Sequence, residues 1–143
     1  MKKRHPVCRL LSGRSGEGYI EAAVGVFVAL LLVVFSLNVF RLYVLQSDLD
    51  LYVKQVVETA CSAGSTGQAA SDKQAELQEQ LGIEPDGSFS GTVYWVEGYP
   101  AVQYGETVRF TAELHTELQG FGLLSFPVTL RASASGLSRR YWK

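Results

Sequence analysis

From residue 22 to residue 34 the chain reads AAVGVFVALLLVV without a polar side chain, and FSLNVF carries the run on to Phe40 with only Ser36 and Asn38 interrupting. A helix needs about twenty such residues to cross a hydrocarbon layer of about 30 Å. Core helices of soluble proteins seldom stay apolar on every face for this length. A chain of 143 residues also has too small a core to enclose one. The run therefore predicts a membrane-spanning helix, and what remains has room for one modest folded domain.

Charge sets the expected orientation. Lys2, Lys3, Arg4, Arg9 and Arg14 precede the apolar run, whereas Arg41 follows it and is soon answered by Asp48 and Asp50. Basic residues stay on the cytoplasmic side, so the N-terminus is expected inside and the bulk of the chain outside. This topology explains the basic cluster better than nucleic-acid binding does, since the part beyond residue 16 is net acidic. A cleaved secretory signal would have a shorter apolar region followed by small residues. Here a helical pattern continues instead.

Beyond Arg41, Leu42, Leu45, Leu49, Tyr52, Val56 and Ala60 recur at alternating steps of three and four, with Gln46, Asp50, Lys54 and Glu58 between them. That spacing forms one apolar stripe on a helix. Neither proline nor glycine separates Phe40 from Cys61. The membrane helix is thus expected to run on as an amphipathic stem of about 30 Å at 1.5 Å per residue, ending at SAGSTG.

A short second helix is predicted from Ser71 and Gln74, which fit a capping box, to Gly82 just past Leu81. The remainder is β-patterned. TVYWV at residues 92–96 reads as a strand. Over residues 107–118, Val108, Phe110, Ala112, Leu114 and Leu118 alternate with Arg109, Thr111, Glu113 and His115. After Gln119 to Gly122 the alternation resumes, with Leu124, Phe126, Val128, Leu130 and Ala132 facing inward, so the pair reads as a long hairpin. Pro127 cannot donate a ladder hydrogen bond, so the last strand is expected at an edge, or bulged at that point. The expected fold class is α+β: a long N-terminal transmembrane and stem helix, a short second helix and a small antiparallel sheet packed on the stem. The expected divisions are a basic leader at 1–16, membrane helix and stem at 17–62, and an extracytoplasmic αβ domain at 63–143.

Catalysis finds little support. His115 is the only histidine besides His5, and neither a nucleophile elbow nor a phosphate-binding glycine loop occurs. No catalytic residue, cofactor site or metal site is expected. Cys8 and Cys61 flank the apolar run, which separates them too far for an intrachain disulfide. Cys61 is expected as a buried, idle thiol, with an intermolecular bridge as the less favoured reading.

The sharpest local motif is Gly16-Glu17-Gly18-Tyr19-Ile20-Glu21, standing between the basic leader and the apolar run. It resembles the class III signal of type IV pilins and pseudopilins, in which a basic leader ends in glycine and a glutamate is the fifth mature residue. Among these groups the layout looks most like the TadE-like pseudopilins of tight-adherence pilus loci, including Gram-positive relatives. The tail ASASGLSRRYWK, with its S-G-x-S and terminal aromatic residues, is similar to tails in those relatives.

The resemblance implies cleavage between Gly16 and Glu17 by a prepilin peptidase, with the apolar helix retained. It gives Glu21 the role of pairing with the mature amino terminus of a neighbouring subunit, neutralising both charges as helices bundle. The competing role for Glu21 is an acid in the headgroup zone, favoured by the helix dipole. Many family members begin the mature chain with an apolar aromatic residue, where this one would begin with Glu17. Gly25 offers a point of close helix approach. The implied partners are the membrane, the peptidase and other pilin or pseudopilin subunits, without nucleic acid or a small-molecule substrate. The alternative expectation is an uncleaved single-pass membrane protein whose outer domain binds a partner in an envelope or secretion complex.

Overall fold

The computed structural model describes residues 17–120 and 124–143. The leader expected over residues 1–16, Gly16 included, and the hairpin turn at residues 121–123 lie outside the described residues. Five elements follow in order: α1 (Glu17–Ala63), α2 (Gln68–Leu81), β1 (Asp86–Phe89), β2 (Thr107–Gly120) and β3 (Leu124–Leu137). This is the α+β layout expected, with one long apolar helix, one short helix and a three-stranded antiparallel sheet in the order β1-β2-β3. The chain forms two compact units that divide between Leu37 and Asn38.

In the second unit, the stripe on α1 becomes the base of the core. Leu49, Tyr52, Val56 and Ala60 are fully buried, joined by Val53, Val57 and Cys61. Val108, Phe110, Ala112 and Leu114 of β2 and Ala132 of β3 belong to the same buried cluster. Tyr52 and Phe110 meet with ring centroids 6.1 Å apart, and Phe110 meets Phe89 of β1 at 4.8 Å. From α2, Ala70 and Leu77 complete the core. The period-two pattern of β2 and the three-four pattern of α1 thus meet face to face, as each needs in order to bury its apolar side.

Both helices end on a left-handed glycine. After α1, Gly64 has φ 63° and the Ser65 amide reaches back to the Ala60 carbonyl at 3.1 Å, the longer bond of a Schellman ending. After α2, Gly82 has φ 63° and its amide donates to the Gln78 carbonyl at 2.9 Å, the simpler single-bond form. The expected stop at Gly82 holds.

The start of α2 differs from expectation. The helix begins at Gln68 with Gly67 as its cap and no side-chain capping bond. Ser71 is already inside the first turn, its amide donating to the Gly67 carbonyl at 3.1 Å. The Ser71–Gln74 pairing is therefore not a capping box. Thr66 binds the Pro100 carbonyl through its amide at 2.9 Å, which holds the preceding loop and lets the helix start a turn earlier.

The strand expected at TVYWV is also displaced. β1 is instead Asp86–Phe89, paired in register with Phe110 to Glu113. Phe110 decides this: its ring lies where a Cβ on Gly87 would go, so the strand beside it must carry glycine there, which TVYWV lacks. Past β1, the Thr92 hydroxyl exchanges bonds with the Arg109 amide and carbonyl, at 3.1 and 3.2 Å. Around it, only the bonds from the Ser90 amide to the Arg109 carbonyl at 3.1 Å and from the Val93 amide to the Thr107 carbonyl at 3.4 Å continue the main-chain bonding, and residues 92–96 run on without forming a strand.

The β2–β3 hairpin pairs continuously from Thr107↔Leu137 to Gly120↔Leu124, with β3 at the edge as expected from Pro127. The inward face opens toward the turn. Leu114 is 8 % exposed and Ala132 7 %, whereas Phe126, expected inward, is 55 % exposed. The alternation is correct, but the strand pair is longer than the core it covers.

One buried polar atom lacks a partner. Among the described residues, the Tyr52 hydroxyl is enclosed without a hydrogen bond of good geometry. Burial is the larger influence on its pKa and raises it, and the Gln78 side chain approaches it only as a weak hydrogen-bond partner that lowers it. An unpaired buried hydroxyl costs about 1–3 kcal/mol. Tyr52→Phe is accordingly expected to leave stability unchanged or raise it by about 1 kcal/mol, read as the midpoint of denaturant unfolding. A loss of stability would show that the hydroxyl bonds to Gln78 in solution.

Candidate functional site

Of the residues singled out for processing and assembly, Glu17 and Glu21 sit at the start of α1, while Gly16 lies outside the described residues. Glu17 is its first residue, and Tyr19, Ile20 and Glu21 are all exposed. Glu21 is the last charged residue before Arg41. Between them, α1 is long and apolar enough to cross a membrane, and Val24, Phe27, Leu30, Phe35 and Phe40 are each more than half exposed. A Cβ added to Gly25 would meet no atom within 4 Å, so this glycine is a shallow point on an open helix surface. These residues share one helical segment but form no enclosed site; their chemistry is that of a surface seeking lipid or other helices.

The outward face of the sheet carries a shallow depression of about 370 Å³ lined by Asp86, Ser88, Thr111, Glu113 and His115. Two of its side chains are already engaged: Glu113 pairs with Arg131 at 3.0 Å, and His115 Nδ1 lies 3.0 Å from the Thr129 hydroxyl. Among the described residues, no three His, Cys, Asp or Glu side chains converge as a metal-binding set. A second open depression, about 250 Å³, lies between Thr66, Tyr94, Tyr99 and Pro100. Around it Trp95 and Tyr99 are about half exposed, at 46 % and 57 %.

The basic, aromatic tail packs on the domain, as its amphipathic sequence suggests, and closes the end of α1. The Trp142 indole donates to the Gly64 carbonyl at 2.9 Å, and the Arg139 amide donates to the Cys61 carbonyl at 2.9 Å. Both carbonyls belong to the end of α1, where a helix leaves acceptors unpaired. The Gln103 side chain pairs both ways with the Trp142 main chain, at 2.8 and 3.0 Å. Arg140 stacks 4.8 Å above the Trp142 ring, and its charge suits the negative end of the helix dipole.

The S-G-x-S motif is explained by the same packing. Gly136 passes over Cys61, where a Cβ would come within 2.8 Å of the sulfur. Ser138 is buried and its hydroxyl donates to the Val102 carbonyl at 2.9 Å. Cys61 itself is only 4 % exposed. Burial raises its pKa, while Arg139 lowers it less and Glu58 adds a further small rise. A buried, protonated thiol is inert, which favours the idle reading over an intermolecular bridge.

Comparison with known families gives one match: residues 26–143 fit the model of Domain of unknown function (DUF4320). The chain belongs to this family. The DUF4320 match takes in the apolar helix from Val26, the stem, the sheet and the tail. It begins after Gly16, Glu17, Glu21 and Gly25, so it carries no information about them. No curated protein and no solved structure matches the chain.

Proposed function

We propose that this DUF4320 chain is a minor pilin or pseudopilin, a non-enzymatic subunit that a prepilin peptidase processes between Gly16 and Glu17. It is incorporated into, or primes, a tight-adherence or type IV-like filament or secretion apparatus. The observation that carries the reading is the single helix α1. One uninterrupted element joins a charge-free apolar run to a stem that supplies seven of the sixteen buried residues of a folded domain's core.

In this reading the apolar run holds the precursor in the cytoplasmic membrane, with the leader inside and the αβ domain outside. It later packs against the helices of other subunits. A carboxylate at the margin of such a helix is unfavourable in lipid unless paired. The amine released at Glu17 of a neighbouring subunit is a partner of the right charge. Gly25, flush with the helix surface, lets two backbones approach.

The exposed aromatic loop around Trp95 and Tyr99 gives the alternative its support. An uncleaved single-pass protein could use that surface to bind a partner in an envelope complex. Intact mass and N-terminal sequencing of the protein from its native membrane separate the two. A mature chain beginning at Glu17 is expected; intact Met1 in cells with active peptidase overturns the pilin reading. Glu21→Ala is expected to insert normally yet fail to co-purify with its assembly partners. Unchanged co-assembly would assign Glu21 to the headgroup zone.

A further inference from the structure

We propose that the cleft between the loop before α2 and residues 94–100 binds a neutral polysaccharide, holding one pyranose ring of the chain against Tyr94 and Tyr99. This goes beyond the proposed function and needs neither cleavage at Gly16 nor assembly into a filament.

Main-chain bonds fix both walls of the cleft. The Thr66 amide donates to the Pro100 carbonyl at 2.9 Å, and the Trp95 amide to the Ala101 carbonyl at 3.0 Å. Ala101 also bridges to Ser65. Ala101 and Val102 are fully buried, so the loop is anchored in the domain at its far end. Between these anchors the Tyr99 amide closes a turn onto the Val96 carbonyl at 3.1 Å. Gly98 stands in that turn at φ 82°, a backbone state that favours glycine. Tyr94 and Tyr99 are therefore carried on a braced segment, and a ligand that meets them has little loop ordering to offset.

The lining selects the class of ligand. Thr66, Tyr94, Gly98, Tyr99 and Pro100 border a space of about 250 Å³, below the range of about 300–1,000 Å³ for pockets that enclose a whole drug-sized molecule. An open cleft of this size suits one ring of a longer chain. None of the lining residues is charged, so neither an anion nor a cation finds a counter-charge there. The Thr66 hydroxyl donates to the Tyr94 hydroxyl at 3.2 Å, which leaves the Tyr94 proton for a ligand oxygen. Among the described residues, no other ring or cation stacks on Tyr94, Trp95 or Tyr99. A pyranose presents a face of weakly positive C–H bonds to the negative face of an aromatic ring, and hydroxyls around its rim. Uncharged aromatic faces beside a hydroxyl pair match it on both counts. A proline-rich peptide also docks on aromatic-lined grooves, but its proline nitrogens carry no proton and it brings only carbonyl acceptors to the Thr66–Tyr94 pair. A sugar hydroxyl both donates and accepts.

The test uses the full-length chain in phospholipid nanodiscs, a carrier free of sugar, and saturation-transfer NMR titrations with cellotetraose, chitotetraose, maltotetraose and mannotetraose. At least one of these neutral chains is expected to bind saturably, and more tightly than an acidic oligogalacturonate of equal length. Tyr99 is more than half exposed, so Tyr99→Ala is expected to leave the denaturant midpoint of the domain unchanged while weakening saccharide binding about tenfold. Tyr94→Phe keeps the ring and loses the hydroxyl, and is expected to weaken binding about two- to tenfold. Binding of none of the neutral chains, binding untouched by Tyr99→Ala, or preference for the oligogalacturonate over every neutral chain overturns the proposal. So does a polyproline peptide bound more tightly than any saccharide, which would assign the cleft to a peptide.

Discussion

Replacing Phe110 with alanine is expected to cost about 3–5 kcal/mol, the range for deleting a fully enclosed aromatic side chain. Phe110 is 0 % exposed and is the only described side chain that touches Tyr52 of α1 and Phe89 of β1 through ring contacts. It also covers Gly87. Removing it leaves a void that α1 and the sheet cannot both close. For a domain of about 100 residues, each kcal/mol moves the melting temperature by about 4–8 °C, so a fall of about 15 °C or more follows. The apolar part of α1 keeps its helical signal in detergent or lipid, so the readout is near-ultraviolet dichroism of the domain. A loss below about 1 kcal/mol would show that the core repacks and that Phe110 does not join the layers.

The second large effect concerns Gly136, which the sequence marks only as a glycine inside a strand. Its added Cβ would stand 2.8 Å from Cys61 Sγ and 3.2 Å from Val57 Cγ1. β3 cannot move outward without breaking its ladder to β2, and α1 is held by its own core contacts. Gly136→Ala is therefore expected to destabilise by about 1–3 kcal/mol through overpacking. The cost should fall when the sulfur is gone. In a Cys61→Ala background the same substitution is expected to cost less, with a coupling of about 0.5–3 kcal/mol between the two sites. Denaturant unfolding of the four proteins in the cycle measures it. Additive costs would mean that the strand, not the thiol, yields.

Much of the architecture follows from periodicity. The Leu42 to Ala60 stripe and the alternation of Val108 to Leu114 each specify a buried face without reference to any other segment, because a period of 3.6 or 2 places side chains by local geometry alone. Gly64 and Gly82 could be read as helix ends for the same reason, since a left-handed residue after a helix favours glycine. The motif that resembles a processing signal is legible only as a sequence. Gly16 to Glu21 borders the apolar run, and the open surface of α1 adds no geometry that would distinguish a pairing carboxylate from a headgroup-zone one.

The misplaced elements are those whose partners lie far along the chain. TVYWV has stronger strand propensity than DGSF, yet β1 forms at DGSF because only glycine fits beneath the Phe110 ring, a contact between positions more than twenty residues apart. α2 starts at Gln68, behind its cap Gly67, because Pro100 holds the loop before it. Trp142 bonds to the carbonyl of Gly64 just past the end of α1, a partner that the amphipathic pattern of RRYWK does not specify.

The apolar run that makes α1 long and apolar enough to cross a membrane was determined by sequence alone, because that fitness depends on composition and length, not on partners. The stripe and the alternating strands were determined in the same local way. Only the tertiary structure decided which short segment pairs with β2, how the tail closes the end of α1, and that the hairpin outruns its core to leave Phe126 exposed. Those outcomes depend on volumes and unpaired polar groups that exist only once distant segments meet.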